Sequence, residues 1–121
     1  MIVNIPALDF IHNLSGIYKD DQVKLSIVRC GYGVALELYD KKVIFTGVVG
    51  VLNGSIECYA LVGLPNIFRF KGELISNNAL RLKDEDAFLR VDIAKQQYAI
   101  IFEIYFKEKL EKSFILGRLK D

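Results

Sequence analysis

The chain has 121 residues, of which 52% are hydrophobic and 26% charged. That is enough apolar material for one domain with a real core and too little polarity for disorder. Its 16 Lys and Arg nearly balance its 15 Asp and Glu, which excludes the basic surplus of a nucleic-acid binder and any electrostatic pull toward an anionic membrane.

The opening, MIVNIPALDFIHN, has no basic stretch followed by a long apolar run, so it does not read as a signal peptide. No window of the chain is both long enough and charge-free enough to span a bilayer. LDFIHN fits a short turn of helix. From Gln22 to Arg29 the sequence alternates, with Val23, Leu25 and Ile27 on one side and Lys24 and Ser26 on the other. Cys30 to Gly33 reads as a turn. Val34 to Tyr39 alternates again, and Asp40-Lys41-Lys42 turns. Val43 to Leu52 and Ser55 to Val62 flank Asn53-Gly54, a strong hairpin signal: both central residues of a type I′ turn need positive φ, which Asn tolerates and Gly adopts freely.

Gly63 to Asn66 breaks the chain, and Ile67 to Ile75 forms the next strand before a turn at Ser76-Asn77-Asn78. Ala79 to Lys83 and Ala87 to Ile93 read as short strands joined by Asp84-Glu85-Asp86. Tyr98 to Phe106 and Ser113 to Leu119 complete the series. Residues 94–112 admit two readings. KEKLEK favours a helix, whereas YAIIFEIYF is β-branched, aromatic and apolar all round, and favours a strand, a charged loop and a strand. The second is preferred here. The expectation is an all-β single domain: an antiparallel up-and-down meander closing into a small barrel of about 8–10 strands, with a short N-terminal helical turn.

Alternation divides each strand into two faces. The inward set includes Val43, Phe45, Cys58, Phe68, Phe70, Leu89, Tyr98, Phe102, Phe106, Ile115 and Leu119. Gly47, Ala60, Gly72 and Gly117 interleave with it, either to permit bends as the sheet closes or to leave room for an apolar guest. If a guest is held, Phe45, Cys58, Phe68, Phe70, Leu89, Tyr98 and Phe102 are its candidate lining. On the outward face, Ile44, Val48, Leu52 and Leu61 could form an apolar patch for a second copy or another protein.

Leu14-Ser15-Gly16-Ile17-Tyr18 follows the helical turn and resembles the opening of calycin barrels, the lipocalin, fatty-acid-binding and avidin group. Those begin their first strand with Gly-x-Trp, and a basic residue of the last strand lies over the tryptophan. Gly16 matches the glycine, and Tyr18 stands where the tryptophan would, since the chain has no Trp. Arg118, in LGRLK, would be the basic partner. The resemblance implies closure of the barrel by Gly16, Tyr18 and Arg118 and a ligand cavity inside it.

The chemistry-bearing residues are sparse. His12 is the single histidine, and Cys30 and Cys58 lack ligand spacing, so neither a metal site nor a cofactor is expected. A Cys30–His12 pair has no surrounding catalytic motif. Glu103, inside an apolar strand, is expected to face outward beside Arg90 or Arg118. Arg69 and Lys71 alternate with Phe68 and Phe70, so cations and aromatics fall on opposite faces, unlike an RNA-stacking surface. The two cysteines read as reduced thiols of a cytoplasmic protein. The expectation is a non-enzymatic module that binds an apolar or amphipathic small molecule. The alternative is a protein-interaction module, such as an inhibitor, immunity or assembly subunit, acting through the apolar outer face as a homo-oligomer or with a protein partner.

Overall fold

The computed structural model describes residues 4–63, 65–86 and 88–119. Leu64, in the expected chain break, and Ala87, at the expected start of a strand, lie outside the described residues. So do the first three and last two residues.

Among the described residues, one helix and ten strands follow in chain order. Helix α1 (Ile5–Asn13) begins where the Asn4 side chain accepts a hydrogen bond from the Ala7 N–H at 3.2 Å. Pro6, in the first turn, lacks only an N–H that would have had no helical partner. The strands are β1 (Gly16–Asp20), β2 (Val23–Cys30), β3 (Gly33–Asp40), β4 (Lys42–Leu52) and β5 (Ser55–Leu61). They continue with β6 (Ile67–Ser76), β7 (Ala79–Asp84), β8 (Leu89–Lys95), β9 (Ala99–Phe106) and β10 (Lys109–Arg118). Every neighbour in sequence is a neighbour in space, every pair is antiparallel, and β1 meets β10 to close the barrel. The expected meander barrel is therefore present. Among the described residues, no helix is long and apolar enough to cross a membrane.

The turns follow from backbone chemistry. Asn53 and Gly54 both have positive φ, at 51° and 81°, as a type I′ hairpin requires. Residues 94–112 contain no helix. Lys107 and Glu108, at φ 51° and 63°, make a tight turn, and the charged stretch after it is the start of β10 rather than a loop. That edge is exposed, which suits its lysines.

Closure is short. β1 pairs with β10 only at Tyr18↔Arg118 and Lys19↔Gly117, joined by Leu119 N–H donating to Ile17 O at 2.8 Å. Among the described residues, 109–116 of β10 therefore have no strand on the β1 side. Lys109 and Lys112 lie on this free edge, where charge discourages pairing with another chain. Gly16 and Arg118 are close: a Cβ on Gly16 would lie 3.0 Å from Arg118 Nε. Tyr18 is wholly buried, and its hydroxyl donates to Leu14 O at 2.7 Å. The glycine, aromatic and basic residues singled out in sequence do meet at the seam.

The interior is packed. Leu25, Leu38, Phe45, Phe70, Leu80, Leu82, Ile93 and Phe102 are without exposure, and the rings of Phe45 and Phe102 meet edge to face with centroids 5.3 Å apart. Gly47 and Gly72 mark close approaches, not space for a guest. A Cβ on Gly47 would lie 2.6 Å from Ala60 Cβ, and one on Gly72 would lie 2.5 Å from Ile56 Cγ2.

Several face assignments are corrected. The β3–β4 register passes from Leu38↔Phe45 to Tyr39↔Val43. The extra residue is Ile44, so Ile44 turns inward beside Phe45 while Val43 is exposed. Tyr98 is 70% exposed in the β8–β9 turn, one residue before β9 begins. In β10, Leu116 pairs with the buried Ile100 and is 1% exposed, whereas Ile115 is 66% exposed. Phe114, Ile115 and Leu116 are all apolar, so alternation alone could not orient them. Leu119, also expected inside, is exposed just after β10, whereas Phe106, paired with the buried Leu89, is on the inner face as expected and 43% exposed at the barrel end.

Candidate functional site

The two ends of the barrel differ. At one end α1 is the lid. Ala7 and Ile11 of the helix, and Leu14 just after it, are buried with the core. Asn4 Nδ2 donates to Gly54 O at 3.1 Å. His12 Nε2 lies 3.0 Å from Gly31 O, and Arg29 Nη2 lies 3.2 Å from His12 Nδ1. Both imidazole nitrogens are thus engaged, and neither is left to activate the exposed Cys30.

The opposite end is open, and it holds a cavity of about 810 Å³. Its apolar wall comes from β4, β6, β8 and β9, chiefly Ile44, Phe68, Leu89, Ile104 and Phe106. The charged lining comprises Lys42, Arg69, Asp84, Glu85, Asp86, Glu111 and Lys112. The register explains why such a site forms. Phe68 stands opposite Ala60, and Leu89 opposite Phe106, so these side chains share the inner face where the strands outrun the packed centre.

Two charges also share that inner face. Asp84 is directly opposite the wholly buried Phe70, and Lys112 is opposite the buried Ile104. Directly paired residues of antiparallel strands point to the same side. Asp84 Oδ1 is out of reach of water and has no hydrogen-bond partner among the described residues. Arg69 is committed elsewhere, to Glu57 at 2.8 Å and Glu85 at 3.6 Å. Among the described residues, Lys42, Lys112, Asp84 and Asp86 form no ion pair.

The expected lining residues separate. Phe68 and Leu89 line the cavity. Phe45, Cys58, Phe70 and Phe102 belong to the packed centre behind it, where burial pushes the Cys58 thiol up to about 12. Tyr98 lies away from the cavity, in the β8–β9 turn. Of the expected outer patch, Val48, Leu52 and Leu61 are exposed, while Ile44 lines the cavity. Val48 pairs with Ala35 and Tyr59, and Ala35 with Val28, so an outward row runs across four strands.

Asp84 and Lys112 were not recognised in the sequence as inner-face residues. Asp84 reads as part of an acidic turn, although Leu80, Leu82 and Asp84 share one strand parity. Lys112 reads as part of a charged loop. Glu103 does face outward, opposite Asp92, and Tyr105 Oη donates to it at 3.4 Å. Neither Arg90 nor Arg118 pairs with Glu103 among the described residues: Arg90 engages Asp92 at 3.5 Å and also Glu108, and Arg81 forks onto Asp92 at 3.1 and 3.2 Å. No group of three or more His, Cys, Asp or Glu among the described residues could hold a metal ion.

Comparison of the chain with protein-family models, with curated proteins and with solved structures found no match.

Proposed function

We propose that the protein is a non-enzymatic, calycin-like barrel that binds an apolar or amphipathic small molecule at its open end. The carrying observation is the cavity of about 810 Å³ with an apolar wall and a charged rim. Ligand sites typically occupy roughly 300–1,000 Å³ and combine an apolar lining with a few polar groups. The apolar part of a guest would rest on Phe68, Leu89 and Ile104, with its polar end at the rim. The meeting of Gly16, Tyr18 and Arg118 at the seam supports the calycin-like reading. The two free cysteines fit a reducing, cytoplasmic setting.

The test is titration with the neutral fluorophore N-phenyl-1-naphthylamine. A saturable blue-shifted emission is expected, with affinity weakened about tenfold by Phe68→Arg or Phe106→Arg, which place a charge on the apolar wall. Val48→Lys, on the outer face, should leave it unchanged. No saturable binding, or loss only with Val48→Lys, would contradict the reading.

The outward row of Val28, Ala35, Val48 and Tyr59 supports a second reading, a protein-interaction or homo-oligomer surface. Under it, Val48→Lys would abolish association measured by analytical ultracentrifugation.

A further inference from the structure

We infer that the guest of the open end carries a cationic nitrogen head group, and that Asp84 holds it. This rests on the reading of the open end as a ligand cavity and names the chemistry of its ligand.

Three observations converge on Asp84. The register places it on the inner face, directly across from Phe70, which has no exposure. It lines the cavity. Its Oδ1 is shielded from water and has no hydrogen-bond donor among the described residues. A carboxylate with one oxygen shielded from water is poorly solvated, and a cation arriving on its cavity side stabilises its charge. Glu85 and Asp86 are exposed in the adjoining turn and are not needed for the contact.

The surrounding charges favour a cation over an anion. Arg69 is held by Glu57 and Glu85. Lys112 is exposed, so water already solvates it. An anionic head would bring a second negative charge beside Asp84 while gaining only solvated lysines. An ammonium head gains a charge-assisted hydrogen bond in a partly desolvated place, and its alkyl chain covers Phe68 and Leu89.

The experiment compares three ligands of one chain length, octylamine, octanol and octanoate, by displacement of N-phenyl-1-naphthylamine at neutral pH. Octylamine should bind about tenfold more tightly than octanol, and octanoate more weakly still. Asp84→Asn, which keeps the shape and removes the charge, should abolish the preference for the amine while retaining octanol binding. Circular dichroism of the variant establishes that the barrel is intact. Octanoate binding as well as octylamine, or an amine preference that survives Asp84→Asn, would overturn the role of Asp84 while leaving the cavity reading intact. Failure of the naphthylamine probe and all three ligands to bind would overturn both.

Discussion

Arg29 and His12 are joined by a hydrogen bond of 3.2 Å from Nη2 to Nδ1, and this fixes the state of the imidazole. A guanidinium can only donate, so Nδ1 must accept. The proton of the neutral ring is then on Nε2, which donates to Gly31 O at 3.0 Å. The clasp between α1 and the β2–β3 turn depends on this tautomer. Long-range ¹H–¹⁵N spectra at mildly alkaline pH should show a protonated Nε2 and a bare Nδ1. Arg29→Ala should let the other tautomer appear. An Nδ1-protonated ring in the unsubstituted protein would contradict the clasp.

Tyr18 anchors the seam by its buried bond to Leu14 O. Tyr18→Phe keeps the ring and strands that carbonyl, so it should lower stability by about 1–2 kcal/mol, read from urea unfolding. An unchanged midpoint would mean that the bond contributes nothing.

Stability should fall in alkali. Burial raises the Cys58 thiol from 9.0 to about 12. The unfolded chain thus loses this proton near pH 9, while the folded chain keeps it to about pH 12. Folding then binds the proton, so the stabilisation present below pH 9 is lost as pH rises through that window. Tyr18, also raised by burial and partly opposed by Arg118, adds to the loss above pH 10. Between pH 8 and 10.5 the Cys58 contribution should be about 2 kcal/mol. Cys58→Ala should remove that share, and equal pH slopes in the two proteins would contradict it. In the native protein, thiol reagents should label only Cys30, which is exposed.

Gly33 and Gly50 face each other across β3 and β4 but should differ in tolerance. A Cβ on Gly33 would lie 2.1 Å from Val49 O, whereas one on Gly50 would be 3.3 Å from Tyr32 O. Gly33→Ala should cost about 3 kcal/mol or more, since backbone must move, and Gly50→Ala about 1 kcal/mol or less. Thermal unfolding of the pair decides this. Similar losses would contradict the close approach at Gly33.

The fold was largely legible because turn chemistry and alternation act locally. Asn53-Gly54 declared its hairpin, and Gly16, Tyr18 and Arg118 were found as the seam. The errors arose where local rules run out. Ile44 turns inward because a bulge adds a residue, and Ile115 and Leu116 offer no contrast in polarity. Tyr98 is an aromatic at a strand end, and ends are set by neighbouring strands. The cavity was hardest to foresee. It forms where several strands outrun the packed centre, so Asp84 and Lys112 acquire their positions from register, which no single stretch of sequence displays.

The most direct test of the open end as the binding place is a ¹H–¹⁵N NMR titration with octylamine. The amides of Phe68, Asp84, Leu89 and Ile104 should shift in a saturable manner, while those of α1 and of Val48 and Tyr59 stay in place. Shifts confined to the outer face of β4 and β5, or none at saturating amine, would contradict the account.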